Sequence, residues 1–314
     1  MYRPVKRGAS LSALSAIAAL VLAACGDSAA DSGSSSGDSD ELVFAAVPSE
    51  EATGLQAAYE PIIALLERET GKQVTFQKAT DYAAIIEGQR AGKIDIAQYG
   101  PFSYVLATDS GVETTPVGAQ VEEKNERPGY KSYGITKAGS GIDSLDDYQG
   151  KKVCFVDPAS TSGYLYPSAG LLDAGVDPKQ DVTPVMAGGH DASAIAVAKG
   201  QCDAGFAYDS MVTEQLIESG QLAKGDLDVV WKSEMIMSSP LAVSDDLSPE
   251  LKDTIATVIQ EKANVDYLES NGMCGGDCAI GEEGSWGYTK VDDSAYAGVR
   301  RVCETLGEAC KEAS

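Results

Sequence analysis

The densest run of hydrogen-bonding side chains is Asp157-Pro158-Ala159-Ser160-Thr161-Ser162-Gly163-Tyr164, directly after the apolar stretch 152–156 and at the start of a helical pattern. The first N–H groups of a helix have no intrahelical acceptor and carry the positive end of its dipole, so hydroxyls gathered there suit an oxyanion. A plain N-cap on Ser160 or Thr161 would use one hydroxyl of the three, and spacing alone leaves that role open. Gly188-Gly189-His190-Asp191-Ala192-Ser193 forms a second junction of the same kind. Its glycines allow close backbone approach and His190 can donate from a cleft wall, the alternative being a surface histidine beside an Asp191 cap. Asp209 poses a different problem, because a carboxylate repels an anion unless it meets a proton or a cation. It could accept from a protonated oxygen, which would disfavour fully ionised sulfate, pair with a ligand ammonium, or simply cap a helix.

Strand and helix signals alternate around these junctions. Residues 42–47, 74–76 and 94–98 read as short strands, with helices over 55–70 and 82–91 between them. A second series has strands at 152–156, 182–186 and 204–207 and helices at 162–174 and 191–199. Such alternation argues for parallel βαβ units in two lobes. The series echo one another: Gly92-Lys93-Ile94-Asp95 leads to Tyr99, and Gly200-Gln201-Cys202-Asp203 leads to Tyr208, each tyrosine just past a strand end. Ligands of open α/β sheets sit outside the carboxyl ends of strands, so two facing lobes would put both tyrosines at a shared cleft. Residues 249–269 read as one long helix, and a last helix ends in Cys310. Segments 129–137 and 238–244 read as extended crossovers, so the first lobe would use both ends of the chain.

The 314 residues, enough for about two domains of roughly 100–200 residues, carry 24 Lys+Arg against 48 Asp+Glu, a formal net charge of −24. That balance excludes a nucleic-acid grip, which needs clustered cations. The single histidine argues against His-rich metal sites; no Gly-x-Ser-x-Gly elbow stands at a strand-to-helix junction, the Gly33–Gly37 run lying in a Gly/Ser-rich stretch, and no P-loop is present. No metal and no cofactor is expected.

Residues 1–24 follow a secretory signal: Arg3, Lys6 and Arg7, then a twelve-residue apolar run from Leu11 to Leu22 broken only by Ser12 and Ser15. The run is shorter than the ~20 residues of a bilayer span. Leu22-Ala23-Ala24-Cys25 resembles the lipobox of bacterial lipoproteins, in which the cysteine is acylated. Residues 25–40 contain, after Cys25, only Gly, Ser, Ala and Asp, the composition of a solvated tether. Removing residues 1–24 takes away three cations and no anions, leaving −24 − 3 = −27. Six cysteines then remain, an even set for an oxidising compartment. Short spacings favour Cys274–Cys278 and Cys303–Cys310, which leaves Cys154–Cys202. A metal site at Cys274 and Cys278 is the rival reading, with no second cysteine pair or histidine nearby to complete it.

Four motifs occurring in order make the chain recognisable: Asp81-Tyr82-Ala83-Ala84-Ile85-Ile86-Glu87-Gly88, Asp95-Ile96-Ala97-Gln98-Tyr99-Gly100-Pro101, Ser160-Thr161-Ser162-Gly163 and Gly189-His190-Asp191. Over roughly residues 42–253 the sequence resembles the substrate-binding proteins of phosphonate ABC importers, within the wider phosphate, phosphite and phosphonate family. The resemblance implies an α/β, two-lobed periplasmic-binding-protein type II fold with two crossover hinge segments. The lobes would be 41–134 with 240–314, and 135–239. It further implies an oxyanion held by Ser160, Thr161, Ser162 and His190 from the second lobe and by Tyr82 and Tyr99 from the first. An acid near Asp209 pairs with the ligand amine in aminoethylphosphonate binders, which also carry an acid before the proline of the return crossover. Here Ser238-Ser239-Pro240 stands in its place, favouring a small ligand without an amine.

The expected function is therefore binding without chemistry: a monomeric lipoprotein, tethered through Cys25 at the outer face of the cell membrane, that captures phosphonate, phosphite or phosphate. It would deliver this ligand to an ABC permease and its ATPase. An enzyme or a sensory receptor on the same fold is the competing reading.

Overall fold

The structure, a computed structural model, describes residues 39–274, 278, 280–281, 285–307 and 310, apart from the side chains of Ala52 and Thr53. The expected signal segment, the expected lipid-attachment residue Cys25 and nearly all of the expected tether lie outside these residues. Two sheets organise the chain. The first has the order β11 (Gly287–Thr289), β4 (Thr114–Val121), β10 (Pro240–Ser244), β3 (Ile96–Gln98), β1 (Glu41–Ala46), β2 (Gln73–Gln77), and the second β7 (Thr183–Met186), β6 (Lys152–Phe155), β8 (Ala204–Tyr208), β5 (Ser132–Lys137), β9 (Leu227–Lys232). Strands β1 (Glu41–Ala46), β2 (Gln73–Gln77) and β3 (Ile96–Gln98) run parallel, joined through helices α1 (Ala52–Thr70) and α2 (Tyr82–Arg90). Helix α3 (Pro101–Asp109) then leads to β4 (Thr114–Val121). The second sheet repeats the scheme with β6 (Lys152–Phe155), β7 (Thr183–Met186) and β8 (Ala204–Tyr208), joined through α4 (Tyr166–Asp173) and α5 (His190–Ala198).

Each sheet also contains a strand delivered from the other lobe. β5 (Ser132–Lys137) runs antiparallel to β8 and to β9 (Leu227–Lys232), whereas β10 (Pro240–Ser244) runs antiparallel to β3 and β4. The sheets are thus mixed, where alternation alone predicts parallel ones. Most of the two stretches read as crossovers is strand, and the connections themselves are 122–131 and 233–239. These connections pass side by side, with Gly129 close against Met235 and Tyr130 and Ile236 exchanging backbone hydrogen bonds of 3.0 and 2.8 Å. Two backbone hydrogen bonds between the paired connections leave few bonds to resist rotation of one lobe against the other.

The expected long helix over 249–269 is interrupted. After the short helix α6 (Leu216–Glu218), α7 (Pro249–Thr257) continues through a wide turn to Lys262, and α8 (Val265–Ser270) starts anew. The cause is Asn264, whose side chain accepts from the Tyr267 N–H at 2.9 Å and caps the second helix. The short strand β11 (Gly287–Thr289) then closes the first sheet, and α9 (Ala297–Leu306) lies against both α3 and α4. Arg300 anchors α9 to the first lobe through Asp109 at 3.2 Å and Asp293 at 2.8 Å.

Disulfides join Cys154–Cys202, Cys274–Cys278 and Cys303–Cys310. The first is buried and fastens β6 to the turn before β8. Its ends are separated by 48 residues, and in the chain-entropy picture a loop of that size stabilises by about 4 kcal/mol. Replacing both cysteines by alanine should therefore lower the unfolding free energy by about that amount, read by urea denaturation. No loss would mean that the pair does not constrain the unfolded chain.

Candidate functional site

The turn predicted from Asp157 to Tyr164 carries its geometry locally. Asp157 Oδ1 accepts from the Ala159 N–H at 2.8 Å, and Ser160 Oγ accepts from the Gly163 N–H at 3.1 Å. Thr161–Leu165 winds as a single wide turn in which the Leu165 N–H reaches back to the Ser160 carbonyl at 3.0 Å before α4 begins. Single wide turns of this kind within helices are frequent at functional sites. Ser160, Thr161 and Ser162 are all buried, so a helix cap alone does not account for them.

His190 opens α5 beside this turn. Its Nδ1 accepts from the Tyr208 N–H at 3.3 Å, which puts the proton on Nε2, and Nε2 lies 3.5 Å from Ser160 Oγ. Burial pushes the imidazole down to about 3, so the ring is neutral at physiological pH and acts there as a donor without charge.

The lobes meet over these groups. The His190 N–H donates to the Ser49 carbonyl at 2.7 Å, the Phe102 N–H to Thr161 Oγ1 at 2.8 Å, and the Tyr82 N–H to Asp157 Oδ2 at 3.5 Å. In each case one partner belongs to the first lobe and the other to the second. Gly189 permits the first contact: a Cβ there would lie 3.3 Å from the Ser49 carbonyl oxygen and 2.6 Å from Asp191 Oδ1.

Between the lobes lies a cavity of about 20 Å³. A single water needs roughly 10–15 Å³ on this scale, so the space suits a compact head group and nothing drug-sized. The second lobe contributes Ser160, Thr161, Ser162, His190 and Tyr208. Val47, Ser49, Tyr82 and Gly100 come from the first lobe, with Tyr130 and Ser239 from the crossovers. Among the described residues, no Lys or Arg lines it. An anion here would be held by neutral dipoles and helix-start N–H groups in a buried space of low polarity, where such contacts act most strongly.

Five of the expected ligand residues thus come together: Tyr82, Ser160, Thr161, Ser162 and His190. Tyr99 is placed elsewhere, fully buried with its hydroxyl donating to Gln89 Oε1 at 2.8 Å. Asp209 does not line the cavity either; its Oδ2 accepts from the Lys131 N–H at 3.1 Å, beside the hinge, and burial raises its carboxyl above the usual range. Ser49, Tyr130 and Ser239 were not foreseen. Ser49 lies just past the end of β1, where the strand-end rule could have found it. Among the described residues, no group of three or more His, Cys, Asp or Glu is placed to hold a metal.

Residues 44–273 match the family described as ABC transporter, phosphonate, periplasmic substrate-binding protein. The chain is 46% identical over 307 residues to the phosphate-import protein PhnD of Mycolicibacterium smegmatis, covering 94% of this chain and 96% of that one. It is 32% identical to the phosphonates-binding periplasmic protein of Escherichia coli, covering 68% and 64%. The crystal structure of a binding-protein component of a Pseudomonas aeruginosa ABC phosphonate transporter superposes with a TM-score of 0.75 at 27% identity, covering 88% of this chain and 90% of that one.

Proposed function

The chain belongs to the periplasmic substrate-binding proteins of phosphonate ABC transporters, and from that premise we propose that it captures a small phosphorus oxyanion between its lobes. Phosphate, phosphite and a small phosphonate share the head group concerned. The observation that carries this reading is the small interlobe cavity in which the Ser160–Ser162 turn and the neutral His190 converge, with no cationic side chain among the described residues that line it. Tyr82 covers the head group from the first lobe. The lobes rotate about the Tyr130–Ile236 contact, and the interlobe hydrogen bonds form as the ligand is enclosed.

The role is capture and delivery to an ABC permease driven by its ATPase, with no bond made or broken in the ligand. A monomer suffices, because the cavity is complete within one chain. Acylation of Cys25 would hold the protein at the outer face of the membrane, with the Gly/Ser/Asp tether giving it reach. Tyr99 and Asp209 act on the site from outside the cavity wall, Asp209 through the Lys131 backbone next to Tyr130.

Titration calorimetry with phosphate, phosphite, methylphosphonate and sulfate tests the reading. At least one phosphorus oxyanion should bind more tightly than sulfate. Ser162→Ala and His190→Ala should each weaken it by roughly 10- to 150-fold, the worth of a hydrogen bond to a charged group. Binding to sulfate alone, or unchanged affinity in both variants, would remove the assignment.

A further inference from the structure

We propose that Ser49 is a specificity-determining residue of the cleft, selecting a ligand whose fourth substituent is an oxygen, as in phosphate, over one bearing P–H or P–CH3. The inference rests on the phosphorus-oxyanion reading above and adds to it which member of that class is preferred. Ser49 is 3% exposed, and its hydroxyl has no hydrogen-bond partner within the protein. Among the described residues it is the one buried side-chain oxygen without a partner that lines the cavity. It is also held in place: its carbonyl accepts from the His190 N–H at 2.7 Å, and its own N–H donates to the Val47 carbonyl at 2.8 Å. The backbone is therefore locked while the hydroxyl remains uncommitted.

The placement gives the hydroxyl its meaning. The turn at Ser160–Ser162 and the His190 ring occupy the second-lobe wall and take the oxygens that face them. Ser49 stands on the first-lobe wall, so it meets the substituent directed away from the turn. A hydroxyl on phosphorus can exchange a hydrogen bond with Ser49 Oγ. A hydrogen or methyl in that position leaves the buried hydroxyl unpaired, a penalty equivalent to roughly 5- to 150-fold in affinity. Val47 beside it is apolar and would suit a P–CH3 group, so the two neighbours make opposite demands on the ligand.

The test is calorimetry of the full chain and of Ser49→Ala with phosphate, phosphite and methylphosphonate, each variant checked by thermal unfolding. The wild-type protein should bind phosphate roughly 5- to 150-fold more tightly than methylphosphonate. Ser49→Ala should bring that ratio close to one, by weakening phosphate and relieving methylphosphonate of the unpaired hydroxyl, and Ser49→Thr, which keeps the hydroxyl, should retain part of the preference. A ratio unchanged by Ser49→Ala, or a wild-type protein that binds methylphosphonate as tightly as phosphate, overturns the role of Ser49 while leaving the oxyanion site standing. Failure of the wild-type protein to bind any of the three overturns both.

Discussion

Gly163→Ala is expected to abolish ligand binding. A Cβ at this position would lie 2.4 Å from both Cβ and Cγ2 of Val156 and 2.8 Å from Ser160 Oγ. Val156 is fully buried and β-branched, and its N–H donates to the Gly163 carbonyl at 3.1 Å, so it cannot swing aside. The turn must move instead, carrying the hydroxyls of Ser160, Thr161 and Ser162 with it. Overpacking of this kind costs about 1–3 kcal/mol of stability. Each misplaced donor to a charged ligand costs about 1.5–3 kcal/mol of binding, so losing two or more exceeds 100-fold. Calorimetry with phosphate reads the effect. Gly54→Ala provides a control for the glycine-to-alanine change itself, because a Cβ there meets nothing within 4 Å. Binding by Gly163→Ala within tenfold of the wild-type value would show that the turn is not the ligand seat.

A second large effect concerns acid. His190 is neutral in the folded protein, its pKa depressed by burial from 6.5 to about 3. In the unfolded chain the same ring takes up a proton as pH falls through 6.5. Between those values the unfolded state binds more protons, so stability is fully present above pH 6.5 and is lost progressively toward pH 3, by up to roughly 5 kcal/mol. Burial raises Asp157 and Asp209, which lose a penalty on protonation and so oppose the trend at the acid end. His190→Gln separates the two contributions. Urea denaturation of both proteins at pH 7.5 and pH 5 should show the wild-type protein losing about 2 kcal/mol more than the variant over that interval. Equal losses would mean that the imidazole is protonated in the folded state.

Ser160, Thr161, Ser162 and His190 were legible in the sequence because their setting is local: a strand, a short turn and a helix start are contiguous in the chain. Tyr208 and Tyr99 show where that reasoning stops. Both follow the same glycine-turn-strand pattern, and only Tyr208 lines the cavity, because Tyr99 is drawn to Gln89 on the neighbouring helix. Ser49 escaped notice for the opposite reason. Its setting depends on the first lobe descending onto the start of α5, a contact between distant parts of the chain that no local pattern encodes. β5 and β10 were visible as extended segments, yet their membership of opposite sheets is a property of topology. The break at Asn264 did have a signal, a good N-cap residue before a fresh apolar run, outweighed in the reading by the continuous helical period around it.

The three disulfides close loops that each lie wholly on one side of the crossovers at 122–131 and 233–239. Cross-links of this kind reduce the number of states open to the denatured chain. Because none of them ties one lobe to the other, they leave the number of lobe orientations open to the folded chain as it was. Oxidation can therefore raise resistance to unfolding without restraining the lobe rotation proposed for ligand capture. Durability and turnover of the receptor are set by different bonds and can be altered independently.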